Sequence, residues 1–178
     1  KVILMTDLDG TLLTDDKQIL PGDFEAIERF RRGGGLFTMA TGRGYAMAKH
    51  IADKLRLDCP AVVYNGAAVY DFRQERFLWQ CAIGDNAPGI IKRIAEEYPD
   101  IGVEVLRGNT VYVPFLNEME QWHLDLEHVP ADFTPLDDIP RDGWLKVLFA
   151  YPPEKLDGLE KFVESTPEFQ GVHWVRSA

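Results

Sequence analysis

The chain has 178 residues, of which 46% are hydrophobic and 27% charged, a composition typical of one large globular domain or two small ones. Its formal net charge of −10 comes from 29 acidic and 19 basic side chains without a Lys- or Arg-rich run, which excludes the basic surface that nucleic-acid binding requires. The apolar run Val2–Met5 is too short for a signal peptide or a membrane span, so we expect no membrane partner. Two cysteines are too few to stabilise a chain of this length by disulfide bonds, so we expect reduced thiols and a cytoplasmic protein.

The first part of the chain alternates strand-like and helix-like patterns. Apolar runs of strand length indicate strands buried on both faces, and apolar residues at helical spacing, stopped by Gly33-Gly34-Gly35 in the first case, indicate the helices between them. In chain order the predicted elements are a strand at Val2–Thr6, a helix at Asp23–Arg32, a strand at Leu36–Ala40, a helix at Tyr45–Leu57 and a strand at Ala61–Tyr64. This β-α-β-α-β order predicts an α/β fold with a Rossmann-like parallel sheet.

The pattern changes after Asn65, and a second unit is expected to begin near Ile83. An antiparallel strand pair, Ala67–Tyr70 with Arg76–Ala82, closes the first unit. The second unit is predicted to be α+β, with an apolar helical stripe on Ile90, Ile91, Ile94 and Ala95, a hairpin of Val103–Leu106 and Thr110–Val113, a helix at Glu118–Val129, a strand at Leu145–Ala150, a helix at Pro153–Glu164 and a strand at Val172–Val175. The expected domains are therefore residues 1–82 and 83–178.

The motif Asp7-Leu8-Asp9-Gly10-Thr11 directly follows the first apolar strand. Side chains two apart on an extended segment point the same way, so both carboxylates should project from the carboxyl end of the strand, where open α/β sheets bind ligands. Their mutual repulsion requires a bound cation or a proton, and both suit phosphoryl transfer. A plain Asp-rich turn and a calcium loop are the alternatives, although Gln18 stands where a calcium loop needs an acid.

This motif, continued by Leu12-Leu13, resembles the first motif of haloacid dehalogenase-type phosphatases, and Ala40-Thr41-Gly42-Arg43 resembles the second. The resemblance implies that Asp7 is the nucleophile that forms an aspartyl-phosphate and that Asp9 protonates the leaving group and then activates water. It also implies that Gly10, Thr41 and Gly42 hold the phosphate, and that Mg²⁺ binds to Asp7 and to the backbone carbonyl of Asp9. Thr41 taken alone would be read as a helix N-cap.

The segment Val63-Tyr64-Asn65-Gly66-Ala67 resembles the Cof-type branch of that family, in which a cap domain is inserted after the third core strand. In that branch, residues matching Arg43 and Asn65 lie near the substrate phosphate. Asn-Gly is also the commonest tight-turn dipeptide, and Arg43 could instead form a surface ion pair, so both interpretations stay open.

The resemblance also implies a third-motif lysine and a fourth-motif acidic pair, for which the sequence offers no match. Lys146 lies within an apolar strand and is interpreted as an edge lysine, and Asp85 is interpreted as a helix N-cap rather than a metal ligand. We therefore expect the core to be completed by a further segment or by a second chain. Without it, Val2–Met5 should form an exposed apolar edge, and activity should be weak.

The predicted function is a Mg²⁺-dependent phosphomonoester hydrolase that acts on small phosphorylated metabolites. The alternatives are a phosphomutase on the same fold and an inactive binding protein. His123 and His128 are expected to be surface or half-buried residues, on the interpretation that neither neighbours a carboxylate at metal-ligand spacing.

Overall fold

In the computed structural model, residues 1–127 and 130–176 are described, and the chain divides into two units, Lys1–Cys81 and Ala82–Ala178. The first unit consists of β1 (Ile3–Thr6), α1 (Pro21–Arg32), β2 (Leu36–Met39), α2 (Tyr45–Leu55), β3 (Ala61–Val63), β4 (Ala68–Asp71) and β5 (Arg76–Gln80). The second consists of α3 (Ala87–Glu97), β6 (Gly102–Arg107), β7 (Thr110–Phe115), α4 (Glu118–Glu127), β8 (Ala131–Asp132), β9 (Trp144–Ala150) and α5 (Pro153–Ser165). Within the described ranges, no helix is both long and apolar enough to cross a membrane.

The first three strands of the first unit run parallel, with helices as crossovers, as the sequence predicted. β1 pairs with β2 in parallel, and a parallel bridge between Ala40 and Val62 joins β2 to β3. β3, β4 and β5 then form an antiparallel sheet. The α/β fold class with a Rossmann-like core is therefore confirmed, and the carboxyl ends of β1 and β2 lie side by side.

Helix α1 shows how the local sequence fixes an element. Pro21 occupies its first turn, where a missing N–H costs nothing, and Ile27 is the residue it buries. The helix ends at Gly33, and Gly34 then takes a φ of +88°, which a side chain would strain. The glycine run therefore both stops the helix and turns the chain into β2.

The first strand is an exposed apolar edge, as expected for Val2–Met5 without a further segment beside it. Ile3, Leu4 and Met5 are 56%, 45% and 46% exposed, so burial on both faces, which the apolar run alone indicates, is not reached in the described chain. Within the described ranges, β2 is the sole strand with which β1 forms a ladder. A strand is buried when other strands pair with both of its edges and other elements cover both of its faces. Within the described ranges, β1 has a neighbouring strand on one edge only, as expected if a further segment completes the core.

Arg31 and Asp58 tie α1, β2 and the end of α2 together. The Arg31 Nε donates to Asp58 Oδ2 at 2.6 Å, and its Nη2 donates to the carbonyls of Leu55 and Arg56 at 2.8 and 2.9 Å. The Phe37 N–H donates to the same Asp58 oxygen at 3.0 Å. Burial alone would raise the pKa of Asp58, but the hydrogen bonds from Arg31 and Phe37 outweigh it, and the pKa is lowered.

Asp58→Asn is expected to lower the free energy of unfolding by about 1 to 2 kcal/mol near neutral pH, because an amide cannot replace the charge-assisted bonds of a partly exposed carboxylate. A carboxyl whose pKa is lowered by folding stabilises the protein above its unfolded pKa of about 3.9, and this stabilisation is lost as the pH falls through the folded pKa. Urea unfolding should therefore show a gap between wild type and variant near pH 7 that narrows in acid. Asp53→Asn is the control, since Asp53 makes only an exposed pair with Lys49, and an equal effect of both variants would contradict the prediction.

The second unit is a four-stranded sheet covered by helices. Its strand order is β8-β7-β6-β9, with β6 antiparallel to both β7 and β9. α3 buries the predicted isoleucine stripe, and the core includes Ile90, Ile91, Ile94, Val103, Val105, Trp144, Leu159 and Val163. The predicted α+β unit is thus present, and together with the first unit it gives the α/β fold with an α+β cap.

Two details of the second unit differ from the sequence-based prediction, and a third lies partly outside the described residues. The predicted strand Val172–Val175 is wrong, because this run has no regular secondary structure and pairs with no strand in the part of the chain that is described. Asp85 does not cap α3, because the N-cap position falls on Asn86. The last two residues of the predicted helix Glu118–Val129 lie outside the described residues.

Candidate active site

The loop after β1 presents two acids to solvent around one buried anchor. Leu8 is fully buried, and its carbonyl accepts hydrogen bonds from the N–H groups that follow, that of Leu13 at 2.8 Å. Asp7 and Asp9 on either side of it are exposed. Gly10 takes a φ of +68°, which lets the chain turn back at this point. The anchoring of Leu8 therefore fixes the backbone from which both carboxylates project.

The two carboxylates have different partners. Asp7 Oδ1 accepts a hydrogen bond from the Leu8 N–H at 2.7 Å. Asp9 is held by cations: the Arg43 Nε and Nη2 donate to its two oxygens at 2.8 and 2.9 Å, and the Lys17 Nζ donates at 2.7 Å. The hydrogen bond from Arg43, aided by Lys17 and opposed by burial, lowers the pKa of Asp9 to about 2. Asp9 is therefore ionised at neutral pH, and cations of the chain itself offset its charge.

Replacing Arg43 by Gln is expected to raise the pKa of Asp9 from about 2 toward its ordinary value, because the strongest donor to the carboxylate loses its charge. Stability contributed by this ion pair is present above the unfolded pKa of about 3.9 and is lost as the pH falls toward 2. NMR titration of the carboxyl carbon measures the shift directly. Arg29→Gln, on the last turn of α1, serves as the control, and an unchanged Asp9 titration in Arg43→Gln would contradict the assignment.

The loop after β2 carries the predicted second-motif residues. Thr41 is 5% exposed, and its Oγ1 accepts a hydrogen bond from the Arg43 N–H at 3.2 Å. α2 begins later, at Tyr45 with Gly44 as N-cap, so Thr41 is not the cap of this helix. The Arg43 side chain is 12% exposed and reaches back to Asp9, so it is a bridge between the two motifs.

Asn65 lies directly against this loop. Its N–H donates to the Thr41 carbonyl at 3.2 Å, and a Cβ placed on Gly42 would lie 2.9 Å from Asn65 Oδ1. Asn65 itself has a φ of 54°, in the left-handed region that Asn tolerates well. Gly42 is therefore required for close packing of the two loops, and the structure brings Asp9, Thr41, Gly42, Arg43 and Asn65 into one connected group.

The oxygen atoms of the first loop suit a hard cation. The Asp9 carboxylate is taken by Arg43 and Lys17, which leaves the Asp7 carboxylate and the Asp9 backbone carbonyl as oxygen ligands of the kind Mg²⁺ prefers. The alternative of a calcium loop is not supported, because the Gln18 side-chain amide donates to the Asp16 carbonyl at 3.3 Å. The residues present thus fit a Mg²⁺ ion bound through Asp7 and Asp9.

Sequence reasoning missed Lys17 and a carboxylate cluster in the second unit. Lys17 approaches Asp9 through a tight turn of the loop, which no spacing rule indicates. His123 is half-buried, as expected, but the premise that it has no neighbouring carboxylate was wrong, because its Nδ1 lies 3.4 Å from Glu104 Oε2. The spacing Glu120-x-x-His123 was the available signal, since residues three apart share a helix face. His128 lies outside the described residues.

The two substitute candidates for later motifs belong to the second unit. Lys146 is half-buried within β9, at the edge of the four-stranded sheet, as its interpretation as an edge lysine predicted. Asp85 is exposed and belongs to the second unit.

Comparison with known proteins identifies the family. The model of the haloacid dehalogenase-like hydrolase family matches residues 4–177. The chain is 31% identical over 158 residues to the HMP-PP phosphatase of Serratia proteamaculans, a match that covers 84% of this chain and 54% of that protein. It is 38% identical over 76 residues to the pyridoxal phosphate phosphatase YbhA of Escherichia coli K12, covering 43% of this chain and 28% of that protein.

Solved structures share the fold at low sequence identity. A haloacid dehalogenase-like hydrolase from Bacteroides thetaiotaomicron matches with a TM-score of 0.78 and 20% identity, covering 96% of this chain and 65% of that one. A sugar phosphatase of haloacid dehalogenase subclass IIB matches with a TM-score of 0.75 and 20% identity, covering 90% of this chain and 63% of that one.

The chain spans about half the length of the HMP-PP phosphatase and less of the other relative described. The resemblance to Cof-type phosphatases is nevertheless confirmed, because the family model matches nearly from end to end and the relatives are phosphatases. The chain belongs to the haloacid dehalogenase-like hydrolase family.

Proposed function

We propose that this chain is the nucleophile-bearing part of a Mg²⁺-dependent phosphomonoester hydrolase that acts on small phosphorylated metabolites. The observation that carries the proposal is the pair of hydrogen bonds from Arg43 to Asp9, at 2.8 and 2.9 Å. It joins the loop after β1 to the loop after β2, at the edge where open α/β sheets bind their ligands. Residues 1–82 serve as the N-terminal part of the core, and residues 83–178 serve as the cap.

In the first step, an Asp7 carboxylate oxygen attacks phosphorus and forms an aspartyl-phosphate. The P–O bond to the metabolite breaks, and Asp9 delivers a proton to the leaving oxygen. Asp7 is exposed and has a lone pair for this attack. Thr41 and the backbone N–H groups of Gly10 and Gly42 hold the phosphate oxygens at the ends of the strands.

Asp9 must carry a proton to play this role, and its pKa of about 2 in the resting arrangement opposes that. The substrate supplies the remedy, because a phosphate dianion is a better bidentate partner for the Arg43 guanidinium than a single carboxylate. When Arg43 turns to the phosphate, Asp9 loses its strongest donor and its pKa rises. Arg43 thereby couples binding of the substrate phosphate to protonation of Asp9.

In the second step, Asp9 takes a proton from water, and the water oxygen attacks the phosphorus of the aspartyl-phosphate. The bond to Asp7 breaks, and inorganic phosphate leaves with Asp7 restored. Asn65, packed against Gly42, supports the loop and offers an amide to the substrate. The Asp7 carboxylate and the Asp9 backbone carbonyl would hold Mg²⁺, which would supply the charge neutralisation that an anionic nucleophile needs to approach an anionic phosphate.

Completion of the core is part of the proposal. β1 forms a ladder with β2 alone within the described ranges, and its apolar side chains are about half exposed. We infer that a further segment or a second chain covers this strand and supplies the third-motif lysine and the fourth-motif acids. We also propose a reducing, cytoplasmic setting, because two cysteines are too few to cross-link a chain of 178 residues effectively.

The relatives support the substrate class. Their names give pyridoxal phosphate, HMP-PP and a sugar phosphate as substrates, all small phosphorylated metabolites. The test is release of inorganic phosphate from a panel of sugar, cofactor and nucleotide monophosphates by the protein as the cell makes it, with Mg²⁺ and with chelator. Release that depends on Mg²⁺ is the expected result, and isomerisation without release would favour a phosphomutase. Binding of these phosphate esters without their hydrolysis would support the alternative of an inactive binding protein.

A further inference from the structure

The second unit contains three potential metal ligands that the proposed phosphatase mechanism does not use. Glu104 lies in the middle of β6, and Glu120 and His123 lie three residues apart on α4. One ligand atom from each residue lies within 4.8 Å of the other two. Two carboxylates and an imidazole at this spacing can all reach a single ion.

Burial makes the two acids costly without a partner. Glu104 and Glu120 are 1% and 0% exposed. Within the described part of the chain, both carboxylate oxygens of Glu120 and the Oε2 of Glu104 have no hydrogen-bond partner. Buried carboxylates are normally hydrogen-bonded, paired with a cation or bound to a metal.

The scaffold holds the cluster in place. The Asn117 Nδ2 donates to the carbonyls of Asp100 and Ala150 at 2.8 Å each, and its Oδ1 accepts from the Glu120 N–H at 2.7 Å. The start of α4 is thereby pinned to the sheet through a capping side chain. Gly102 allows the close approach, because a Cβ there would lie 2.7 Å from the Cβ of Glu120. Glu104 is two residues beyond Gly102 on the same strand and therefore faces the same helix.

We propose that Glu104, Glu120 and His123 bind one first-row divalent transition-metal ion of the Zn²⁺, Mn²⁺ or Co²⁺ class. Two carboxylates neutralise the ion, and an imidazole ligand favours these metals over Mg²⁺, which prefers oxygen ligands and retained waters. His123 is 26% exposed, so the cluster has an access route, and a water completes the coordination. The ion ties α4 to the central strand of the sheet, a role separate from the phosphate chemistry of the first unit.

The test uses the whole chain in an Asp7→Asn background, which removes a carboxylate ligand of the first unit while leaving the cluster intact. Chelator-treated protein is titrated with Co²⁺, followed by visible absorption, and the Co²⁺ is then displaced by Zn²⁺. We expect one equivalent to bind, with displacement by Zn²⁺ but not by excess Mg²⁺. Because catalysis is already disabled, failure of the phosphatase proposal would not affect this result.

Glu120→Gln is the diagnostic variant, and Glu118→Gln is its matched control with the same charge change at an exposed position of the same helix. Loss of a metal ligand should weaken Zn²⁺ binding by at least about 10-fold, because even mutation of residues that hydrogen-bond to metal ligands lowers metal affinity by about 10- to 100-fold. Zn²⁺ should raise the melting temperature of the control but not of Glu120→Gln. His123→Asn is the second ligand variant should Glu120→Gln fail to fold.

The proposal is overturned if the parent protein shows no saturable binding of Co²⁺ or Zn²⁺. Equal affinity for Zn²⁺ in a folded ligand variant and in Glu118→Gln would overturn it as well. In both cases the three residues would form a proton-sharing cluster rather than a metal site.

Discussion

Asp7→Asn is expected to lower phosphate release by on the order of 10⁴-fold or more, by analogy with nucleophile replacements elsewhere, which cost about 10⁶-fold. An amide oxygen is a far weaker nucleophile than a carboxylate and forms no stable phosphoryl ester, so the covalent route is closed. The fold should survive, because Asp7 is exposed and the hydrogen bond that its side chain accepts from the Leu8 N–H can be accepted by an amide oxygen. The measurement is kcat/KM for a sugar phosphate with saturating Mg²⁺.

Asp16→Asn is the control for Asp7→Asn. It makes the same charge change at an exposed position of the same loop, away from the strand tip. Rapid quenching with labelled substrate should trap phosphate on the parent protein and none on Asp7→Asn. Retention of most of the activity by Asp7→Asn would remove the aspartyl-phosphate from the mechanism.

Asp9→Asn is expected to cost about 10²- to 10⁴-fold with sugar phosphates, the usual range for a general acid and base. The loss should be much smaller with p-nitrophenyl phosphate, because p-nitrophenolate leaves readily without a proton. The comparison of the two substrates separates proton donation from the other roles of Asp9, which affect both substrates alike. The measurement is the ratio of the two kcat/KM values in parent and variant.

Lys17→Met provides the control for Asp9→Asn, since it removes a cation from Asp9 and leaves the carboxylate in place. It should alter both substrates by similar, modest factors. Equal losses for sugar phosphate and p-nitrophenyl phosphate in Asp9→Asn would assign the residue to shaping the loop or holding the metal, and would leave the acid unidentified.

Much of the first unit was predictable because its signals are local. Buried parallel strands read as continuous apolar runs, and Gly33-Gly34-Gly35 marks the end of α1 without reference to the rest of the chain. The carboxyl ends of parallel strands lie at one edge of a sheet, and the hydrogen bond from Arg43 to Asp9 joins the loops after β1 and β2 at that edge.

The features that escaped prediction depend on contacts distant in sequence. Val103-Glu104-Val105 reads as an alternating strand with its acid toward solvent, yet α4 covers that face and buries Glu104. The run Val172–Val175 has strand composition, but only its Val172 and Trp174 side chains are seen to pack on the core of the second unit, and no strand pairs with it in the described ranges. Local spacing cannot indicate that α4 covers Glu104 or that Val172–Val175 has no strand partner, because both depend on tertiary structure.

The open edge of β1 has a consequence for how molecules of this chain behave toward one another. In the described part of the chain no strand pairs with the edge of β1 that faces away from β2, so its N–H and C=O groups, beside the half-exposed Ile3, Leu4 and Met5, can pair with an extended apolar peptide. Two copies can meet there edge to edge, and mass action makes such pairing grow with concentration. A polypeptide that pairs with this edge, as proposed above, would therefore prevent self-association through β1 as well as contribute catalytic residues.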